Sequence, residues 1–165
     1  MRLKYILLLC IVLLILAPAQ AQGIITRPTP TTVKSASKTT PKPKKTIEEE
    51  LCEEAGHYFL SNEYTKAFSL YMQLAEQGYA PAQSQLGYMY NHGMGVSQNL
   101  DAAIKWYQKS AFQGYSSAQY YLGHMYYKGE GVTRDLELAR YWWQKAADQG
   151  DEQAKYWLQK SQSEN

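Results

Sequence analysis

Cysteine is nearly missing from this chain: among 165 residues only Cys10 and Cys52 occur. Cys10 sits inside "MRLKYILLLCIVLLILAPAQA", where Arg2 and Lys4 precede an apolar run from Tyr5 to Ala17 and Ala-x-Ala choices end at Ala19 or Ala21. That order is secretory signal grammar, with cleavage expected after Ala21. The apolar run falls short of the roughly 20 residues a membrane-spanning helix needs, so a retained anchor is the lesser reading. Cys10 follows three leucines rather than a small residue, so a lipid anchor is not expected. Removal of residues 1–21 would leave Cys52 alone, which excludes an intramolecular disulfide in any redox compartment. Cys52 reads as a small buried hydrophobe, with an intermolecular disulfide as the open alternative.

Histidine is scarce too, and His57, His92 and His124 are too far apart in sequence for helical i, i+4 metal ligation. No His-Glu-x-x-His or paired-Cys motif is present, so no metal is expected. Gly-x-Ser-x-Gly, Ser-x-x-Lys and phosphate-loop patterns are likewise missing, so neither a cofactor nor catalysis is expected. Glu130 could serve as a general base by residue type alone. Its counterpart one repeat earlier is Met94, which marks the position as exposed and variable.

What is present divides into three parts. Residues 22–46, "QGIITRPTPTTVKSASKTTPKPKKT", are rich in Thr, Pro, Lys and Ser and hold almost no large apolar residue after Ile25. Such a segment cannot offset the entropy of folding and is expected as an extended tether. Arg27, Lys34, Lys38, Lys42, Lys44 and Lys45 give it a charge of +6, against −6 for residues 47–165. The plain reading is a soluble spacer; the sharper one is weak attraction to anionic envelope polymers or lipid head groups. No folded basic groove with stacking aromatics follows, so nucleic acid is not an expected partner.

The third part, residues 47–165, repeats itself. Laying Gly87–Leu122 over Gly123–Leu158 without a gap gives 17 identities in 36 positions. A duplication of that period is the mark of a helical repeat. An earlier copy starts near Gly56, with five fewer residues to its next glycine, and three copies suffice for a stable stack. Leu136, Ala139, Trp142, Trp143 and Ala146 recur at helical spacing, as do Leu100, Ala103, Trp106, Tyr107 and Ser110, and both sets read as inner faces of second helices. Asn99 and Asp135 stand where a short polar side chain caps a helix, and Gly78, Gly114 and Gly150 where a left-handed residue ends one. The spacing predicts first helices over 48–61, 80–92 and 116–128, second helices over 63–77, 100–113 and 136–149, and a cap over 152–161. Repeat boundaries fall near 47–78, 79–114 and 115–150, followed by 151–165. Gly93 and Gly95, like Gly129 and Gly131, make the bend between the two helices of one repeat.

The pattern A-x-x-x-L-G-x-x-Y occurs as Ala82, Leu86, Gly87, Tyr90 and as Ala118, Leu122, Gly123, Tyr126. G-x-G-V follows at Gly93, Gly95, Val96 and at Gly129, Gly131, Val132, then Ala103, Trp106, Tyr107, Ala111 and Ala139, Trp142, Trp143, Ala147. This resembles the Sel-one-like repeat (SLR) family, relatives of the tetratricopeptide repeat. The first copy lacks G-x-G-V and looks like an ordinary tetratricopeptide unit. The resemblance implies an all-α fold, a right-handed α/α superhelix of about three helix-turn-helix repeats plus a C-terminal capping helix. It further implies an interaction scaffold. Cysteine-rich secreted relatives described as β-lactamases or penicillin binders carry a disulfide in every repeat, which this chain lacks.

In tetratricopeptide register the concave wall would take Glu53, His57 and Leu60, then Ser84, Tyr88 and Asn91, then Tyr120, His124, Tyr127 and Lys128, with Tyr156 and Lys160 on the cap. The expected partner-binding residues are His57, Tyr88, Asn91, Tyr120, His124, Tyr127, Lys128 and Tyr156. Tyrosine and histidine combine apolar area with a hydrogen-bonding tip, which suits a peptide ligand. The same tyrosines could instead pack between stacked repeats. The expected function is an exported, monomeric adaptor that binds a protein or peptide in the bacterial envelope or outside the cell. Its alternatives are a secreted host-interaction factor and, further off, a penicillin-binding hydrolase.

Overall fold

The computed structural model describes residues 45–163, so the signal and nearly all of the tether expected from sequence lie outside the described residues. Seven helices follow: α1 (Ile47–Leu60), α2 (Tyr64–Glu76), α3 (Ala80–His92), α4 (Leu100–Phe112), α5 (Ser116–Lys128), α6 (Leu136–Asp148) and α7 (Glu152–Gln162). Every end lies within one residue of its predicted position. Helix pairs α1/α2, α3/α4 and α5/α6 stack in order and α7 closes the row, a short right-handed α/α solenoid. None of the described helices is long and apolar enough to cross a membrane.

Local chemistry sets the ends. Asn99 Oδ1 and Asp135 Oδ1 each accept a hydrogen bond at 2.9 Å, from Ala102 N and Leu138 N, as their cap positions require. Thr46 and Glu49 form a reciprocal capping box at the start of α1, a signal the sequence carried openly. The expected left-handed glycines Gly78, Gly114 and Gly150 have φ of 93°, 89° and 92°.

The G-x-G-V bend has a second purpose. A Cβ on Gly95 would come within 2.4 Å of Tyr64 O at the start of α2, and one on Gly131 within 2.7 Å of Leu100 Cβ at the start of α4. Each loop therefore rests on the second helix of the preceding repeat. Among the described residues no repeat stands before the first copy for such a loop to rest on, and its connection over residues 61–63 is shorter. There Asn62 takes the left-handed conformation, at φ 62°, and accepts a hydrogen bond from Tyr64 Oη at 2.6 Å.

Between repeats the helices are joined by small buried residues, among them Ala55, Ala75, Ala82, Ala111, Ala118 and Ala154, all at 2% exposure or less. Two matching polar stitches reinforce these joints. Gln83 Nε2 donates to Ala75 O at 3.0 Å while its Oε1 accepts from Gln113 Nε2 at 2.7 Å. One repeat on, Gln119 Nε2 donates to Ala111 O at 3.1 Å and Oε1 accepts from Gln149 Nε2 at 2.8 Å. Both central glutamines are buried with their amides satisfied, as burial demands. The last joint is tied by Arg140 of α6, whose guanidinium donates to the Ser161 carbonyl on α7.

Two expectations change. Trp106, assigned to an inner face, is only half-buried, and Lys109 Nζ sits 4.1 Å from its ring; its repeat equivalent Trp142 is buried because Phe112 packs against it at 5.4 Å. Cys52 is half-buried rather than buried, packed beside the first core cluster, and that burial, aided by Glu53, pushes its thiol pKa up.

Candidate partner-binding wall

The first helix of each repeat, with α7, supplies one wall of the solenoid. Along it runs a nearly continuous path of rings. Phe59 of α1 meets Tyr88 of α3 at 6.1 Å, and Tyr88 meets His92 at 4.3 Å and Tyr121 of α5 at 5.8 Å. Tyr121 touches Tyr120 at 5.1 Å, Tyr120 touches His124 at 5.5 Å, and His124 meets Trp157 of α7 at 4.6 Å. Tyr127 joins the far end, 5.6 Å from Trp157 and 5.5 Å from Trp143. Edge-to-face arrangements dominate, as ring quadrupoles favour.

Two clefts open on this wall. The larger, roughly 400 Å³, is lined by Asn91, Tyr120, His124 and Lys128, together with His92, Tyr121 and Glu130. The smaller, roughly 240 Å³, lies between α1, α3 and α5 and includes Phe59, Ser84, Gln85, Tyr88 and Tyr121. Four of the eight expected site residues thus share one cleft, Tyr88 borders the next, and Tyr127 adjoins through Trp157. His57 is exposed on α1 and lines neither cleft. Tyr156 is 57% exposed, with its ring 5.6 Å from that of Trp157.

Some of these tyrosines do pack between repeats. Tyr107 of α4 is fully buried beneath the wall and stacks on Tyr121 at 5.4 Å. Among the described residues its hydroxyl has no hydrogen-bond partner, and burial drives its pKa far above the ordinary phenol value. Tyr120 and Tyr121 are raised in the same sense, mainly by burial. His124 shifts the other way: burial first, then the nearby Lys128 ammonium, hold its pKa below the usual imidazole value, with Glu130 opposing. Glu130, expected to stand exposed, is half-buried in the larger cleft, 3.5 Å from Lys128 Nζ.

Sequence reasoning missed Tyr121 and Trp157. They occupy the same place in successive repeats, two residues before the Leu-Gly glycine position, next to the predicted Tyr120 and Tyr156. The repeat superposition held that signal: a wall wide enough for the −3 position also takes in −2. Among the described residues no three His, Cys, Asp or Glu side chains are grouped to hold a metal ion.

The Sel1 repeat family model matches residues 50–79, 80–115, 116–151 and 151–161. The first match covers the copy that lacks G-x-G-V, so that copy is a member of the same repeat class rather than a separate tetratricopeptide unit. Two solved structures are similar in sequence as well as fold. A Sel1 repeat protein from Oxalobacter formigenes is 33% identical with a TM-score of 0.62, over 65% of this chain and 44% of that one. A protective antigen with an SLR fold, present in uropathogenic Escherichia coli strains, is 40% identical with a TM-score of 0.65, over 67% of this chain and 25% of that one. This chain therefore spans less than half the length of either. Cysteine-rich protein B of Helicobacter pylori, at 22% identity and a TM-score of 0.54 over 68% of this chain and 98% of that one, shares the fold. No curated protein is significantly similar to this chain.

Proposed function

The chain belongs to the Sel1 repeat family, and we propose that it is an exported, non-enzymatic adaptor that grips a segment of a partner protein along the wall of its first helices. Repeat proteins of this family generally act as protein–protein interaction scaffolds. The observation that carries the reading is the ring path from Phe59 through Tyr88, Tyr121 and His124 to Trp157, which crosses all four wall helices beside two open clefts. Half-buried tyrosines and tryptophan, each with apolar area and a polar tip, are the side chains that dominate protein interfaces. Export is supported by the leader pattern of residues 1–21, and the Lys/Pro-rich stretch after it suits a spacer between an anchoring surface and the domain.

A photo-crosslinking residue placed at Tyr120 in intact cells, with Lys105 on α4 as the control position, tests this directly. Capture of a defined protein in the envelope fraction from position 120 and not from 105 is the expected result. Equal capture from both, or recovery of the chain solely as a free cytoplasmic monomer, overturns the reading. The similarity to a protective antigen favours a second destination, the cell exterior. In that case the same crosslink appears in the culture fluid or on host material.

A further inference from the structure

Net charge is spread very unevenly along the repeats. Residues 47–79 hold seven glutamates against one lysine, Lys66, whereas residues 80–163 hold seven acidic against eight basic side chains. The excess of negative charge in the folded domain thus belongs to its first repeat. Superposing the repeats on their Leu-Gly positions shows how this reaches the wall. The place held by Tyr120 and Tyr156 is Glu53 in the first repeat, and that of Tyr121 and Trp157 is Glu54. One residue past the glycine, the series runs His57, Tyr88, His124, Lys160. At the far end Lys160 Nζ lies 4.6 Å from the Trp157 ring centroid, the Arg134 guanidinium 5.6 Å from that of Tyr127, and Lys128 lines the larger cleft. Lys128 is paired in that cleft with Glu130 at 3.5 Å, and because the two side chains are 49% and 41% exposed the pair is weak enough for a ligand carboxylate to displace.

Resting on the proposed function above, we infer that the wall reads an extended peptide of fixed charge polarity: basic residues against Glu53 and Glu54, an aromatic or apolar anchor at Tyr120 and His124, and a carboxylate toward Lys128 and Lys160. Lys45 already shows the basic end of this arrangement. It precedes an extended Thr46, with φ −75° and ψ 161°, and its ammonium pairs with the Glu53 carboxylate. Being exposed on both sides, that pair is weak enough for a ligand lysine to displace it. Neighbouring wall helices about 10 Å apart make three steps of ~30 Å in all, the length of about nine extended residues. Complementary charge at the two ends fixes orientation more than affinity.

The test selects from a random nonapeptide library on the immobilised full chain, at low salt and again at about 1 M, where screening falls to about 3 Å. Three variants accompany it: Tyr120→Ala, Glu53→Lys with Glu54→Lys, and Lys128→Glu with Lys160→Glu, each checked for unchanged helical circular dichroism. The expected peptides separate basic from acidic residues around a central aromatic, are lost with Tyr120→Ala, and lose their segregation at high salt. The α1 reversal should lower recovery of lysine-ended peptides on the order of fivefold and enrich acidic ones in their place. Peptides that depend on Tyr120 but carry scattered charges, or ignore both reversals, overturn the polarity and leave the wall standing. No enriched peptides, or peptides indifferent to Tyr120→Ala, overturn both.

Discussion

Gly123 of α5 lies so close to Trp143 of α6 that a Cβ on the glycine would come within 2.7 Å of the indole Cδ1 and Nε1, and within 3.0 Å of Ala139 O. The contact is further fixed by Trp143 Nε1 donating to Tyr120 O at 3.2 Å. The same relationship holds one repeat earlier, where a Cβ on Gly87 would meet the Tyr107 ring at 2.7 Å. In the first repeat it is relaxed: a Cβ on Gly56 would find Tyr71 Oη at 3.6 Å, ordinary contact. The Leu-Gly glycine is thus a packing residue that admits a large ring from the partner helix.

Alanine at these three equivalent positions should therefore act with opposite signs. Ala favours a helix interior over Gly by about 1 kcal/mol, but forcing a methyl into a filled site costs roughly 1–3 kcal/mol. Gly123→Ala and Gly87→Ala should lower the urea midpoint, whereas Gly56→Ala should raise it. Equal behaviour of all three would show that the Trp143 and Tyr107 contacts do not limit the approach of the helices.

The glutamine stitches give a second prediction. Gln119 occupies a buried position between Ala111 O and Gln149 Nε2, so Gln119→Leu leaves a buried carbonyl and a side-chain amide without that partner. The Ala111 carbonyl keeps its bond from Gly114 N and Gln149 Nε2 its bond to Lys145 O, so a loss of about 0.5–1.5 kcal/mol is expected. Gln149→Ala alone should cost less, because its position is exposed. A double-mutant cycle by chemical denaturation should return a coupling of roughly 1 kcal/mol between the two, and a coupling near zero would remove the stitch from the account of inter-repeat stability.

Tyr107 supplies the reverse case. Its hydroxyl is buried without a partner among the described residues, so Tyr107→Phe removes a desolvated polar group while keeping the ring that fills the space above Gly87. Stability should be unchanged or rise by up to about 1 kcal/mol. The equivalent Tyr71 also has its pKa pushed up, to about 12, chiefly by burial. A marked loss on Tyr107→Phe would mean that the hydroxyl has a partner not accounted for by the protein groups around it.

These cases mark what the sequence made legible. Period, helix ends and caps could be read because each depends on residues within a few positions of one another: Asn99 with Ala102, Asp135 with Leu138, the glycine that follows each second helix. The depth of Trp106 could not, because it depends on whether a ring from the preceding repeat covers it: Phe112 covers Trp142, whereas the position equivalent to Phe112 one repeat earlier is Glu76. On the wall, Tyr120 and His124 were reachable from register alone. Tyr121 and Trp157 were not chosen because their rotation about the helix axis places them between the wall and the inter-repeat joint, and only the approach of α5 to α3 and α7 decides which they face. The Gln83 and Gln119 stitches join residues 30 positions apart and leave no local signature.

The final prediction concerns pH and falls on His124. Facing it are Tyr120 and Tyr127 from α5, Trp143 from α6 and Trp157 from α7, with Lys128 and Glu130 as the charged groups nearby and His92 across the cleft. Burial holds its folded pKa below the ordinary value of 6.5, so between the folded and unfolded pKa values the unfolded chain binds more protons. Stability contributed by the neutral imidazole is then complete above about pH 6.5 and declines as the pH falls through and below that value. The urea midpoint should drop between pH 7.5 and pH 5, and His124→Gln should flatten part of that slope. Direct NMR titration of the His124 ring gives the cleaner measurement: a pKa at or above 6.5 would show that the aromatic enclosure by Trp143 and Trp157 does not exclude water from the imidazole.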